Sequence, residues 1–219
     1  MKLRILGLIT LLSMSIQNLY AGTGQAGCIF LIIYPGARQV GMGNTGVALA
    51  DDALATYYND AGMGFNRKLS LAYMYVNWLP GLARAAGINM YYNYLGAVIP
   101  IPRSNYTLGF SCIYFNAGET KAVDEEGNLL FAWTTFYYAF KLSCAFQLFK
   151  YLSLGIGLKY IYSFLVPDWI VYELYGIHGG SAKTWAFDFG VLYRLKQLKN
   201  FQIVLALQNI GLDVKYVPS

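Results

Sequence analysis

The sequence predicts an all-β chain, an antiparallel transmembrane β-barrel of the outer-membrane type with a small N-terminal plug, on three observations. Charged side chains make up 12% of the 219 residues and hydrophobic ones 57%, whereas an average soluble domain carries about 25% charge. An export signal opens the chain, yet no later run reaches the roughly 18 uninterrupted apolar residues of a membrane helix. Several runs alternate large apolar with small or polar residues at period two. A chain that meets lipid without helices satisfies its backbone only by closing a barrel.

Composition excludes other classes. Disorder requires low hydrophobicity and high charge, the reverse of what is found. The net charge of +5 is scattered along the sequence, which gives no nucleic-acid footprint. Cys28, Cys112 and Cys144 are odd in number and form no C-x-x-C pair, so neither a disulfide framework nor a zinc site is indicated. Lys2 and Arg4 precede an apolar run from Ile5 to Ile16. Residues 1–21 are therefore expected to be a signal peptide cleaved after Ala21.

The strands follow from the alternation. Phe136, Tyr138, Phe140, Leu142, Cys144, Phe146 and Leu148 face one way, against Thr135, Tyr137, Ala139, Lys141, Ser143, Ala145 and Gln147, mostly small or polar, on the other. Leu152 to Tyr162 repeat the pattern against Ser153, Gly155, Gly157, Lys159 and Ser163, with Ile161 as the exception. Only Phe149 and Lys150 separate these runs, which predicts a tight hairpin. Further runs cover Asn105–Tyr114, Thr184–Tyr193 and Phe201–Gln208, and weaker ones Leu69–Trp78 and Ile88–Ile99. About seven strands result, each near the ~10 residues of a tilted membrane strand. The second face is rich in Gly, Ala and Ser rather than Lys and Glu, which suits an enclosed interior better than the solvated face of a soluble sandwich. Tyr and Trp near strand ends suit an aromatic girdle.

Short connections are expected at Phe149–Lys150 and Arg194–Asn200, and longer ones at Thr120–Leu130 and Phe164–Lys183. Short turns of such barrels face the periplasm and long loops the outside. Single-chain bacterial barrels use an even strand count, and an open sheet leaves unpaired edges. Residues 67–219 are therefore expected to be part of a barrel completed by a longer gene product.

Residues 22–66 do not alternate and read as a compact plug. Ala53–Tyr58 is expected to be a helix capped by Asp51 or Asp52, ended by a turn at Asn59–Gly62. Here the chain resembles a known family. Residues 35–63, PGARQVGMGNTGVALADDALATYYNDAGM, are similar to the opening of the PorV/PorQ family, a branch of the FadL-like outer-membrane barrels. The likeness continues through DEEGNLL, LSLGIGLKYIYS and LALQNIGLDVKY. Asp60 stands where the family usually has Pro. The resemblance implies a barrel of about fourteen strands, an even count, of which this sequence supplies roughly the first half.

Chemical motifs are few. Gly41–Gly46 fits G-x-G-x-x-G, but no βαβ pattern surrounds it, and glycines permitting tight turns explain it better. His178 is the only histidine and lies in a Gly-rich loop. Asp188 shares a face with Thr184, Ala186 and Gly190 and is expected to point inward, pairing with Arg38 or another base of the plug. Arg38, Asp51, Asp52 and Asp188 are thus structural candidates, and neither catalysis nor a cofactor is indicated.

The resemblance implies a part in type IX protein secretion, in the outer membrane, with secreted cargo proteins, other secretion components and membrane lipid as partners. Cargo would be bound through its C-terminal signal domain and carried to a surface attachment complex. Trp133, Trp169, Tyr172 and Tyr175 are candidate contacts, because aromatic anchors dominate many interfaces; membrane-girdle aromatics are the rival reading. The alternative function is FadL-like passage of hydrophobic small molecules.

Overall fold

A computed structural model describes residues 27–197 and 201–217. The expected signal peptide lies outside these residues. The N-terminal segment holds a 3-10 turn (Ile29–Ile32), three short helices, α1 (Ala37–Gly41), α2 (Gly46–Leu49) and α3 (Ala55–Tyr58), and a 3-10 helix (Asp60–Phe65). Seven strands follow: β1 (Ser70–Asn77), β2 (Tyr91–Pro100), β3 (Tyr106–Val123), β4 (Leu129–Phe149), β5 (Leu152–Phe164), β6 (Ser181–Arg194) and β7 (Gln202–Gly211). They form one antiparallel sheet in sequence order, and its outer edges are β1 and β7. Between strands lie two more helices, α4 (Pro80–Ala85) and α5 (Asp168–Tyr175). Among the described residues no helix is long and apolar enough to cross a membrane.

The alternation sorts the two faces as expected. Leu142, Ile156 and Phe187 are 65, 60 and 59% exposed on the outward face. Their neighbours Lys141, Ser143, Ser153, Asp188 and Thr184 are buried on the inward one. Large apolar side chains therefore cover the outside; the inside of β4 to β6 is mostly small or polar, while Tyr92, Tyr94, Ile113 and Phe115 of β2 and β3 add large buried side chains to it. Ile161, the exception in the sequence, is buried inward against an apolar cluster that includes Phe30, Leu31 and Tyr58.

The 3-10 helix Asp60–Phe65 touches five adjacent strands, β2 to β6, and α2 touches β7.

Several boundaries differ from expectation. β3 and β4 run for 18 and 21 residues instead of about ten. Beyond Asn116 and Phe136 they lose their outer neighbours and pair only with each other, as a two-stranded ribbon. A bulge between Asn116 and Gly118 marks the departure. Gly118 adopts φ 95° there, and its amide donates to Asn116 Oδ1 at 2.8 Å. The loop expected at Thr120–Leu130 is thus mostly strand, closed at 124–128 by Asp124, whose Oδ1 accepts from the amides of Glu126 and Asn128 at 3.1 and 2.7 Å. The β4–β5 turn is Lys150–Tyr151, one residue later than expected, because a bulge between Gln147 and Phe149 shifts the register. The Asn59–Gly62 turn is the start of the longer 3-10 helix.

Connections 101–105 and 150–151 and the described residues 195–197 and 201 lie at one end of the sheet, and 78–90, 124–128 and 165–180 at the other. Short and long connections are segregated, apart from the tight ribbon turn.

Candidate functional site

Two regions concentrate chemistry: the inward seat of the N-terminal segment and the rim at the long-connection end.

The seat is built on three neighbouring strands and on Asp60. Lys141 of β4 places Nζ 2.8 Å from Asp60 Oδ2 and 2.5 Å from Asp188 Oδ2. Lys159 of β5 lies 3.3 Å from the same Asp188 oxygen and also donates to Asn209 Oδ1. The backbone N–H of Asn209 donates to Asp188 Oδ1 at 2.7 Å. All four charged side chains are almost fully buried, and their charges alternate in sign along the row. Buried charge is tolerated when paired and hydrogen-bonded. Asp188 thus points inward as expected, but its partners are wall lysines; the base expected from Arg38 is supplied elsewhere, and the segment contributes an acid. Arg38 instead makes a bidentate pair with Asp51 at 2.8 and 3.0 Å and lies 3.8 Å from Asp52.

Close approach completes the seat. A Cβ on Gly155 would come 2.3 Å from the Ala61 amide nitrogen, and one on Gly190 would come 2.2 Å from Asn59 Oδ1. Glycine is the residue that lets backbone pack on backbone here. Around it, Tyr94 bonds Thr56 at 2.6 Å, and Tyr58 donates to Pro35 O at 2.8 Å. Gln202 donates to Ala48 O, and Gln208 to the carbonyls of Tyr57 and Tyr58. Asp52 accepts from the Leu54 amide at 2.8 Å and from Gln39 Nε2 at 3.2 Å. It closes the turn before α3 rather than capping the helix, because α3 starts at Ala55, later than expected.

Lys141, Lys159 and Asp60 were missed as site residues. The signal was present: Lys141, Lys159 and Asp188 all fall on the small-residue face of consecutive strands, where a lone charge needs a partner.

At the rim, the four predicted aromatics do collect at one end. Trp133 Nε1 donates to Leu165 O at 2.6 Å, and Thr135 Oγ1 to the same oxygen at 3.0 Å, tying the ribbon to the β5–β6 connection. Phe131 meets Trp169 edge-on at 4.9 Å. Tyr172 stacks on His178 at 4.9 Å. Trp169, Tyr172 and Tyr175 are exposed, whereas Trp133 is held by its bond. His178 Nδ1 lies 2.8 Å from Asp168 Oδ2, and the Gly179 amide donates to Asp168 Oδ1 at 2.7 Å. These two bonds hold the Asp168 carboxyl below its ordinary value. Between the N-terminal segment and the inner wall lies an apolar cavity of about 1480 Å³, lined by Phe30, Ile33, Trp78, Phe115, Tyr137 and Val214 among others. Among the described residues no cluster of His, Cys, Asp or Glu is placed to hold a metal.

Neither family models nor curated proteins give a match to the chain.

Proposed function

We propose that the chain forms part of the wall and the plug of an outer-membrane β-barrel of the PorV type, which receives exported cargo proteins in type IX secretion. The observation that carries the membrane part is the inverted distribution of side chains. The exposed outward face is continuous in Leu, Ile, Phe and Tyr, while paired charges sit inside. A soluble protein does not expose so large an apolar patch, whereas lipid requires one.

The open sheet supports closure by other strands. β1 and β7 run in the same direction, so an all-antiparallel wall needs an odd number of strands between them. A second copy facing the same way would join by parallel seams. A second copy facing the other way would put long connections on both sides. Neither suits a barrel with one face of short turns.

Cargo recognition would rest on the rim, where Trp169, Tyr172 and Tyr175 stand exposed beside the ribbon. The reading draws its cargo from the family resemblance. The test is affinity isolation of the full-length protein from outer membranes, with the bound proteins and lipids identified. Secreted proteins sharing a C-terminal domain are expected. Recovery of none of them removes the secretion reading.

The apolar cavity favours a second reading, passage of a hydrophobic small molecule in the FadL manner. Its volume exceeds the roughly 300–1,000 Å³ of ordinary ligand pockets, and its lining is mainly aromatic and aliphatic. Isolation of fatty acids or lipids without secreted proteins would favour it.

A further inference from the structure

Six of the basic residues that look scattered in the sequence are brought by the topology to one end of the sheet. Arg67 and Lys68 precede β1, Arg103 tips the β2–β3 turn, Lys150 the β4–β5 turn, and Arg194 and Lys196 open the β6–β7 connection. All six are exposed. The described residues of these three turns contain no carboxylate. The opposite connections carry Asp124, Glu125, Glu126, Asp168 and Glu173 against Arg84 and His178, and the strand ends beside them add Glu119, Lys121 and Lys183.

Two further features bear on what the basic end meets. Arg103 is held at φ 58°, in the left-handed region where glycine carries least strain. Strain kept at a turn tip by a cation points to a use for that cation. Three of the cations also stand next to the exposed apolar belt: Leu69, Ile101 and Phe149 lie within two residues of Lys68, Arg103 and Lys150, whereas Arg194 lies over the Phe65 ring at 3.9 Å. Long basic side chains beside an apolar surface place their heads where that surface ends.

We propose that this collar binds the headgroups of anionic phospholipids in the periplasm-facing leaflet. The proposal rests on the membrane-barrel reading above. The occupant must present anions at the level where hydrocarbon stops, along the width of the sheet from β1 to β7. Phosphodiester headgroups do so, and each cation near such a surface multiplies affinity about fivefold. The acidic opposite end repels the same lipid, so the asymmetry also fixes which leaflet is favoured.

The test reconstitutes the full-length protein in phosphatidylcholine bilayers containing a minor fraction of phosphatidylglycerol, then excises it with its surrounding lipid in polymer nanodiscs. Phosphatidylglycerol is expected to be enriched around the protein by about fivefold or more over the bulk. Added salt is expected to reduce the enrichment. Arg103→Gln/Lys150→Gln/Lys196→Gln is expected to lower it severalfold, while Glu125→Gln/Glu173→Gln is expected not to lower it. Enrichment that is absent, insensitive to salt, or retained in the triple variant overturns the lipid proposal and leaves the barrel reading standing. The salt series uses the unaltered protein, so it decides even where the triple variant does not fold. An acidic protein lost from the triple variant at constant lipid composition also overturns it. Failure of the unaltered protein to enter bilayers at all counts instead against the barrel.

Discussion

The ammonium of Lys141 on β4 lies 2.8 Å from the carboxylate of Asp60, so the N-terminal segment is fastened to the inner wall by a buried ion pair. Lys141 also holds Asp188 at 2.5 Å, and its removal would leave two carboxylates facing a single lysine.

Lys141→Met is therefore expected to destabilise the protein by about 3–5 kcal/mol, the range for breaking a buried pair from one side. In a double-mutant cycle, Lys141→Gln and Asp60→Asn are expected to be coupled by about 0.5–3 kcal/mol. Denaturant unfolding of the full-length protein in detergent measures both; additive losses would refute the pairing.

Gly190→Ala and Gly155→Ala put a methyl group into the space of Asn59 and Ala61. Each is expected to cost about 1–3 kcal/mol by overpacking. Gly81→Ala, in α4 with nothing within 4 Å of its would-be Cβ, is expected to be neutral or mildly stabilising. Protease sensitivity of the N-terminal segment reports the contrast, and equal behaviour of the three variants would contradict it.

Trp133→Phe keeps the ring and loses the indole bond to Leu165 O. The expected cost is about 0.5–1.5 kcal/mol, read as faster hydrogen exchange in residues 165–180. On the proposed cargo-binding reading, Trp169→Ala and Tyr175→Ala, as exposed anchors, are expected to weaken cargo binding at least about tenfold. Cargo titration with folded variants decides this, and unchanged affinity assigns both side chains to the membrane girdle.

Asp168 titrates below its ordinary value because His178 and the Gly179 amide favour its charged form. A carboxyl lowered in the folded state supports the fold above its unfolded pKa, about 3.9. That support is lost as pH falls through the lowered folded value. Exchange protection of the Gly179 amide is expected to hold near neutrality and to fall below about pH 4, and Asp168→Asn is expected to abolish the pH response.

Much of the fold was legible because the strands announce themselves at period two, down to the facing of Lys141, Ser143, Lys159 and Asp188. The β3–β4 ribbon was not, because Glu119, Lys121 and the acidic turn look like a loop until their pairing with Thr134 and Ala132 is seen. The short helix α4 spans six residues, too few to display a helical period. At the seat, Asp188 was legible by facing, but its partners were not: choosing between Arg38 and a wall lysine needs the position of Asp60. Asp60 itself departs from the Pro that the family resemblance leads one to expect, and it is the residue that fastens the segment.

The glycines beneath Asn59–Ala61 also bear on the order of assembly. Gly155 meets the Ala61 amide, and Gly64 fits equally close to the Ser153 side chain, so no room for a methyl group is left between segment and sheet. In the proposed barrel such a fit is expected to be made while the wall is still open, before further strands close it.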